Sequence, residues 1–284
     1  MTVIRAGGVD LAYDEAGYGS AVVFVHAGLA DRRMWDHQFG ALAKRHRVIR
    51  YDQRGYGESG DAAGRVAHHE DLLALLDALE VPNAALVGCS MGGQYALDAA
   101  LAAPERVSAL GLICSPLSGF DFTGETLELM RDTVRAAVPD ERRRGYNDHT
   151  AESVDPADVA AMAEANVRLM VAGPKRGLDD LSPHVRERAL EMCRGVFTRL
   201  WTGPAFEEAY AQPPALGRLH EVRVPALVIT GLADVPGILT AADLLTDGIA
   251  GARRLDLADT GHLPPLERPA EVTGALANLL TEPS

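Results

Sequence analysis

The stretch whose residue types and spacing point most directly to chemistry is Gly88-Cys89-Ser90-Met91-Gly92-Gly93, a G-x-S-x-G. An apolar run over 84–87 precedes it, and a helix-like run over 94–102 follows it. Serine at the centre of a strand, tight turn and helix is presented as a nucleophile. Packing the three pieces closely puts the serine in strained backbone geometry, so Gly88 and Gly92 must lack side chains. The Met91 amide, at the helix N-terminus, has no intrahelical partner and sits in the positive end of the helix field, where an oxyanion is favoured. One turn thus offers a nucleophile and half an oxyanion hole. Cys89 is off the central position and is expected to pack towards the sheet.

Two other stretches carry chemistry on paper. Gly55-Tyr56-Gly57-Glu58-Ser59-Gly60 is a literal G-x-G-x-x-G, but a dinucleotide site needs the glycines to open directly into a helix. Here 61–67 is loop-like and periodicity resumes only near His68, so a structured loop is expected. His68-His69-Glu70-Asp71 resembles a metal cluster, yet acids in a first helical turn answer to the helix dipole, and the order is not H-E-x-x-H. Neither a cofactor nor a metal is expected.

Composition narrows the partners. A net charge of -13 opposes a nucleic-acid surface, and Arg142-Arg143-Arg144, ringed by acids, reads as a solvated helix face or turn. Cys89, Cys114 and Cys193 are odd in number and widely spaced, which suggests reduced thiols and neither disulfides nor zinc. Residues 1–15 lack an apolar signal core, and no run approaches a membrane span. The expectation is a cytoplasmic protein with a small-molecule substrate, no membrane or nucleic-acid partner, and at most a second copy of itself as protein partner.

The elements that must position the serine follow from periodicity. Residues 2–4 and 9–13 read as a hairpin, and 21–25, 47–51, 84–87, 107–114, 225–231 and 252–257 read as strands, several apolar throughout and so covered on both faces. Asp31 caps an amphipathic stretch through Met34, Trp35, Phe39 and Leu42, and Arg32 and Arg33 are placed on its solvated face. Between 119 and 217 the period changes: 125–138, 155–172, 182–201 and 204–211 all look helical, with no convincing strand between them. Its Met162, Met170, Met192, Phe197, Trp201 and Tyr210 are read mainly as packing, a minority lining a pocket. Strands alternating with helices predict an α/β fold with a mostly parallel, doubly wound sheet. The expected organisation is a core over 1–118, a helical cap over 119–217 inserted after the sixth strand, and the rest of the core over 218–284.

With Asp234 after the penultimate strand and Gly261-His262 after the last, the chain resembles the α/β-hydrolase superfamily over nearly its whole length. His26-Ala27-Gly28 stands where that family has His-Gly, Asp52-Gln53-Arg54-Gly55-Tyr56-Gly57-Glu58-Ser59 matches its D-x-R-G-x-G-x-S, and Glu267-Arg268-Pro269 matches its C-terminal histidine segment. The resemblance implies that Ser90 is the nucleophile, His262 the base and Asp234 the orienting acid, with Asp121 and then Asp259 as alternative acids. His26 is implied to be structural, its ring bonding loop backbone. Gly28 becomes the second oxyanion donor beside Met91, although Ala27 replaces a glycine and cannot easily take a positive φ. Serine at 90 implies esters, lactones or thioesters, where aspartate would imply haloalkane or epoxide chemistry. The chain looks most like small-molecule esterases and enol-lactonases. Carbon-carbon bond hydrolases with the same triad, and small-molecule receptors built on this fold, are the alternatives.

Overall fold

The computed structural model describes residues 2–281. In chain order the first half comprises β1 (Thr2–Ala6), β2 (Val9–Ala16), β3 (Ala21–Val25), α1 (Asp36–Leu42), β4 (Arg47–Tyr51), β5 (Gly64–Val66), α2 (His68–Ala78), β6 (Ala84–Cys89), α3 (Met91–Ala102) and β7 (Val107–Ile113). There follow α4 (Glu125–Leu129), α5 (Asp140–Asn147), α6 (Pro156–Asn166), α7 (Pro183–Thr202) and β8 (Phe206–Glu208). The chain then forms β9 (Ala226–Gly231), α8 (Pro236–Gly248), β10 (Arg253–Leu257), α9 (Pro264–Glu267) and α10 (Pro269–Leu279).

An eight-stranded sheet in the order β1-β2-β4-β3-β6-β7-β9-β10 forms the centre. β1 and β2 form a hairpin, β2 pairs antiparallel with β4, and every other pairing is parallel. Side chains alternate across the sheet. Val22 and Phe24 of β3 face Trp35, Met34 and the α10 residues Val272 and Leu276, whereas Val23 and Val25 face Leu72, Leu75 and Leu76 of α2 and Ala96 of α3. With both faces covered, the central strands β3 and β6 have no use for polar positions, which is why they are apolar throughout. From β3 the chain turns to β4 on one side and later returns to β6 on the other. The sheet order therefore reverses between β3 and β6, and a crevice opens at their carboxyl ends.

Between β7 and β9 the chain is largely helical, with departures from expectation. The predicted 125–138 helix is α4 followed by a π-helical turn, Met130–Val134, and a 3-10 turn, while 155–172 is α6 running into a second π-helical segment, Val167–Ala172. Asp155 and Ser182 cap α6 and α7 as their positions before proline imply. The expected helix over 204–211 is absent: Phe206–Glu208 is a strand pairing parallel with β5, inside the stretch 61–67 read as loop. Tyr146, Val159, Met162 and Trp201 form a small separate core here, closed by hydrogen bonds Tyr146 Oη to Asp158 (2.8 Å) and Trp201 Nε1 to Asn147 (2.9 Å). Arg32 also departs from its expected place on a solvated face: it is nearly buried and pairs with Asp14, Asp52 and Glu58. Among the described residues no helix is long and apolar enough to cross a membrane.

Candidate active site

Ser90 stands between β6 and α3 at φ 55°, ψ -129°, a conformation that L-residues rarely hold and that the flanking contacts enforce. Its N–H donates to Ile113 O (2.8 Å) and its carbonyl accepts from Gly93 N–H (2.8 Å). A Cβ on Gly88 would collide with the Gly92 backbone, and one on Gly92 with the carbonyls of Val25 and His26. Both glycines are thus required by close approach and not by a positive φ.

The turn after β9 and the loop after β10 bring the other two groups to the serine. His262 Nε2 lies 2.7 Å from Ser90 Oγ, and His262 Nδ1 lies 2.6 Å from Asp234 Oδ2, with all three residues buried. Asp234 Oδ1 accepts from Val235 N–H (2.7 Å), so its carboxylate is held from both sides. The alternative acids lie elsewhere: Asp121 is exposed, and Asp259 is exposed in a left-handed turn (φ 49°).

Met91 and Gly28 face each other. A Cβ built on Gly28 would lie 3.2 Å from Met91 Cγ, and neither backbone N–H has an acceptor among the described residues. Ala27 does not need the positive φ that would exclude it, and its N–H rests on Met34 Sδ (3.3 Å). His26 supports this loop: Nδ1–H donates to Ala27 O (2.9 Å) while Nε2 accepts from Gln53 N–H (3.0 Å). Burial lowers its pKa, in keeping with that neutral tautomer.

The G-x-G-x-x-G is a structured loop built around Asp52, whose carboxylate accepts from Arg32 N–H (2.8 Å) and Glu58 N–H (2.9 Å). Gly57, at φ 47°, leaves the room that this carboxylate fills. The acids of His68-His69-Glu70-Asp71 are engaged by arginines, Glu70 by Arg65 (2.9 Å) and Asp71 by Arg54 (2.5 Å). Cys114, Asp234 and His262 present ligand-type atoms within 4.8 Å of one another. Burial and the Asp234 charge raise the Cys114 thiol pKa, which disfavours the thiolate a metal would need. Cys89 is held neutral in the same way, with its Sγ against His262 O (3.5 Å).

Two features of the site carry no local sequence signal. The segment Val167–Ala172 lies against the histidine loop, with Met170 O accepting from His262 N–H (3.1 Å). Gly173, at φ 93°, and Gly261 are glycines because a Cβ on either would strike Ala233 O or Val171 O respectively. Arg176 then ties the parts together, donating to Ala172 O (2.5 Å), Val171 O (3.1 Å), Asp259 O (2.6 Å) and the Glu267 carboxylate (3.0 Å). Glu267 in turn accepts from Gly261 N–H (2.7 Å), one residue before His262.

Beside Gly28 opens a pocket of about 110 Å³, lined by Tyr56, Phe197, Leu200 and Phe206 among others. Of the aromatic and methionine residues picked out between 119 and 217, Phe197 reaches this pocket, Met192 lines a neighbouring cleft, and Met162 and Trp201 pack internally.

A sequence model described as the alpha/beta hydrolase fold matches residues 20–269. Epoxide hydrolase A of Mycobacterium tuberculosis is 28% identical over 98% of this chain and 96% of its own. The 3-oxoadipate enol-lactonase 1 of Acinetobacter baylyi is 24% identical over 88% of this chain and 84% of its own. Among solved structures, a thermophilic esterase from Thermogutta terrifontis superposes with a TM-score of 0.72 at 25% identity, covering 98% of this chain and 97% of that one.

Proposed function

The chain belongs to the α/β-hydrolase fold family, and we propose that within it this protein is a serine hydrolase that cleaves a small, largely apolar carboxylic ester or lactone through an acyl-enzyme on Ser90. The observation that carries this reading is the continuous relay Ser90 Oγ, His262 Nε2, His262 Nδ1, Asp234 Oδ2, with contacts of 2.7 and 2.6 Å. His262 Nε2 takes the Ser90 proton as Oγ attacks the carbonyl carbon, and Asp234 accepts from Nδ1–H and stabilises the imidazolium that forms. The Met91 and Gly28 amides, without another acceptor among the described residues, donate to the tetrahedral oxyanion. Nε2–H then protonates the departing alkoxide, and water, deprotonated by the same nitrogen, releases the acid.

A serine at position 90 sets this chemistry apart from an epoxide opening, for which a carboxylate nucleophile would be expected. The pocket of about 110 Å³ with Phe197, Leu200 and Phe206 favours a short, uncharged substituent. A fluorophosphonate probe should label the wild type and not Ser90→Ala, and p-nitrophenyl butyrate hydrolysis should fall by roughly 10⁴- to 10⁶-fold in the variant. Unchanged hydrolysis by Ser90→Ala would overturn the reading.

A further inference from the structure

We propose that the Tyr56 hydroxyl is a substrate-recognition donor, and that the substrate carries a second, uncharged acceptor oxygen near the scissile carbonyl, as in an alkoxy- or keto-substituted ester or lactone. The proposal rests on the ester-hydrolase reading and narrows it.

Tyr56 is fixed by ring and backbone contacts. Its ring packs edge-on to His26 (5.0 Å) and His68 (6.2 Å), its N–H donates to Gln53 O (2.9 Å), and its carbonyl accepts from Ser59 N–H (3.1 Å). The hydroxyl at the end of this fixed ring has no hydrogen-bond partner among the described residues. Neighbouring tyrosines are satisfied: Tyr95 and Tyr210 both donate to Glu208. Tyr56 Oη instead lies 3.8 Å from a Cβ built on Gly28, beside the Met91 side chain, on the wall of the pocket. Burial and the nearby Glu208 keep the phenol protonated, so it can donate.

The rest of the lining says what it would donate to. Arg54 is paired with Asp71 and Gly7 O, and Arg199 with Asp61 and Gly57 O. Every charged side chain on the pocket wall is thereby neutralised, and Tyr56 presents the one unpaired polar side-chain group among its described lining residues. A charged substrate group would find no counter-charge, whereas an ether or keto oxygen finds one donor in an apolar surround. A volume of about 110 Å³ admits a group of about four heavy atoms, given that a cavity of roughly 150 Å³ holds benzene.

The test uses isosteric ester pairs that differ by one methylene-to-oxygen exchange. For the acyl side these are p-nitrophenyl butyrate and p-nitrophenyl methoxyacetate, and for the alcohol side butyl acetate and 2-methoxyethyl acetate. The ratio of kcat/KM, ether to methylene, is taken within each enzyme, so that any general effect of the substitution cancels. Tyr56→Phe should lower that ratio by about 3- to 10-fold for one of the two pairs, as loss of one neutral hydrogen bond implies. Ratios within twofold of wild type for both pairs would overturn the proposal. So would a parallel loss on all four esters, which would assign the hydroxyl to packing or to the reacting carbonyl. Failure of the underlying reading looks different: Ser90→Ala would retain turnover of the same esters, or the wild type would turn over none, which would also remove the substrate class argued for Tyr56.

Discussion

Replacing Arg176 by methionine keeps an unbranched stem and removes the guanidinium that joins the helical insertion to the histidine loop. Arg176 and Glu267 are 16% and 9% exposed and lie 3.0 Å apart. Removing one partner of a buried pair costs about 3–5 kcal/mol, because the remaining charge is left uncompensated. Burial already raises the Glu267 pKa above 4.5, with Arg176 and the Gly261 N–H acting to lower it, so the variant's carboxylate can escape by taking a proton. For a carboxyl whose folded pKa is raised, the penalty is absent below the unfolded value of about 4.5, grows as pH rises towards the folded pKa and is complete above it. Urea unfolding should therefore show a loss of about 3 kcal/mol at pH 8 and clearly less at pH 5. Adding Glu267→Gln should recover most of it, since the amide oxygen can still accept from Gly261 N–H. Turnover should fall by about 10- to 100-fold with the loosened His262, as displacement of a catalytic group by about 1 Å implies. The argument fails if Arg176→Met costs under about 0.5 kcal/mol at both pH values, or if the double variant is no more stable than the single one.

Two further outcomes are expected. Asp234→Asn should lower ester turnover by about 10³- to 10⁴-fold through loss of the correct His262 tautomer, whereas Asp121→Asn, at an exposed position, should stay within twofold; the reverse ranking in a steady-state assay would reassign the acid. Asp98, buried on α3, has its pKa pushed up to about 6 by burial, against the hydrogen bond from Ser118 and the charge of Arg218. Holding it ionised therefore costs up to about 3 kcal/mol above pH 6, a cost that fades as pH falls towards 4. Asp98→Asn should stabilise the protein at pH 8 and lose that advantage near pH 4, and destabilisation at pH 8 in urea titrations would refute the sign.

What was legible in the sequence was local. The inner strands declare themselves because residues such as Val22-Val23-Phe24-Val25 must be apolar on both faces, and the elbow because Gly88 and Gly92 have no room for a Cβ. The strand β8 was not legible. Residues 204–211 contain glutamates and alanines that favour a helix, but the backbone of β5, remote in sequence, offers a ladder there that overrides the propensity. The burial of Arg32 is illegible for a similar reason: Asp14, Asp52 and Glu58 reach it from separate segments, so nothing adjacent announces that its charge is neutralised there. A lone Arg176 in a loop gives no sign of its contacts with residues 259 and 267, because those contacts exist only once the insertion has folded back.

That folding back constrains how a substrate reaches Ser90. The insertion touches the histidine loop through backbone as well as side chain: Met170 O holds His262 N–H, Arg176 holds Asp259 O and Glu267, and Gly173 and Gly261 permit approaches that a single methyl would block. Swinging the whole insertion away would break these bonds and release His262 from its position at the same time. The other end of the insertion is tied to the segment that follows Tyr56 by the ladder between β5 and β8, and by Arg199 to Gly57 O and Asp61, and the pocket beside Gly28 opens there between Phe197, Leu200 and Phe206. Small side-chain movements at this end would leave the contacts of Ser90, His262 and Asp234 unbroken, and this is the side of the insertion on which the Tyr56 hydroxyl lies.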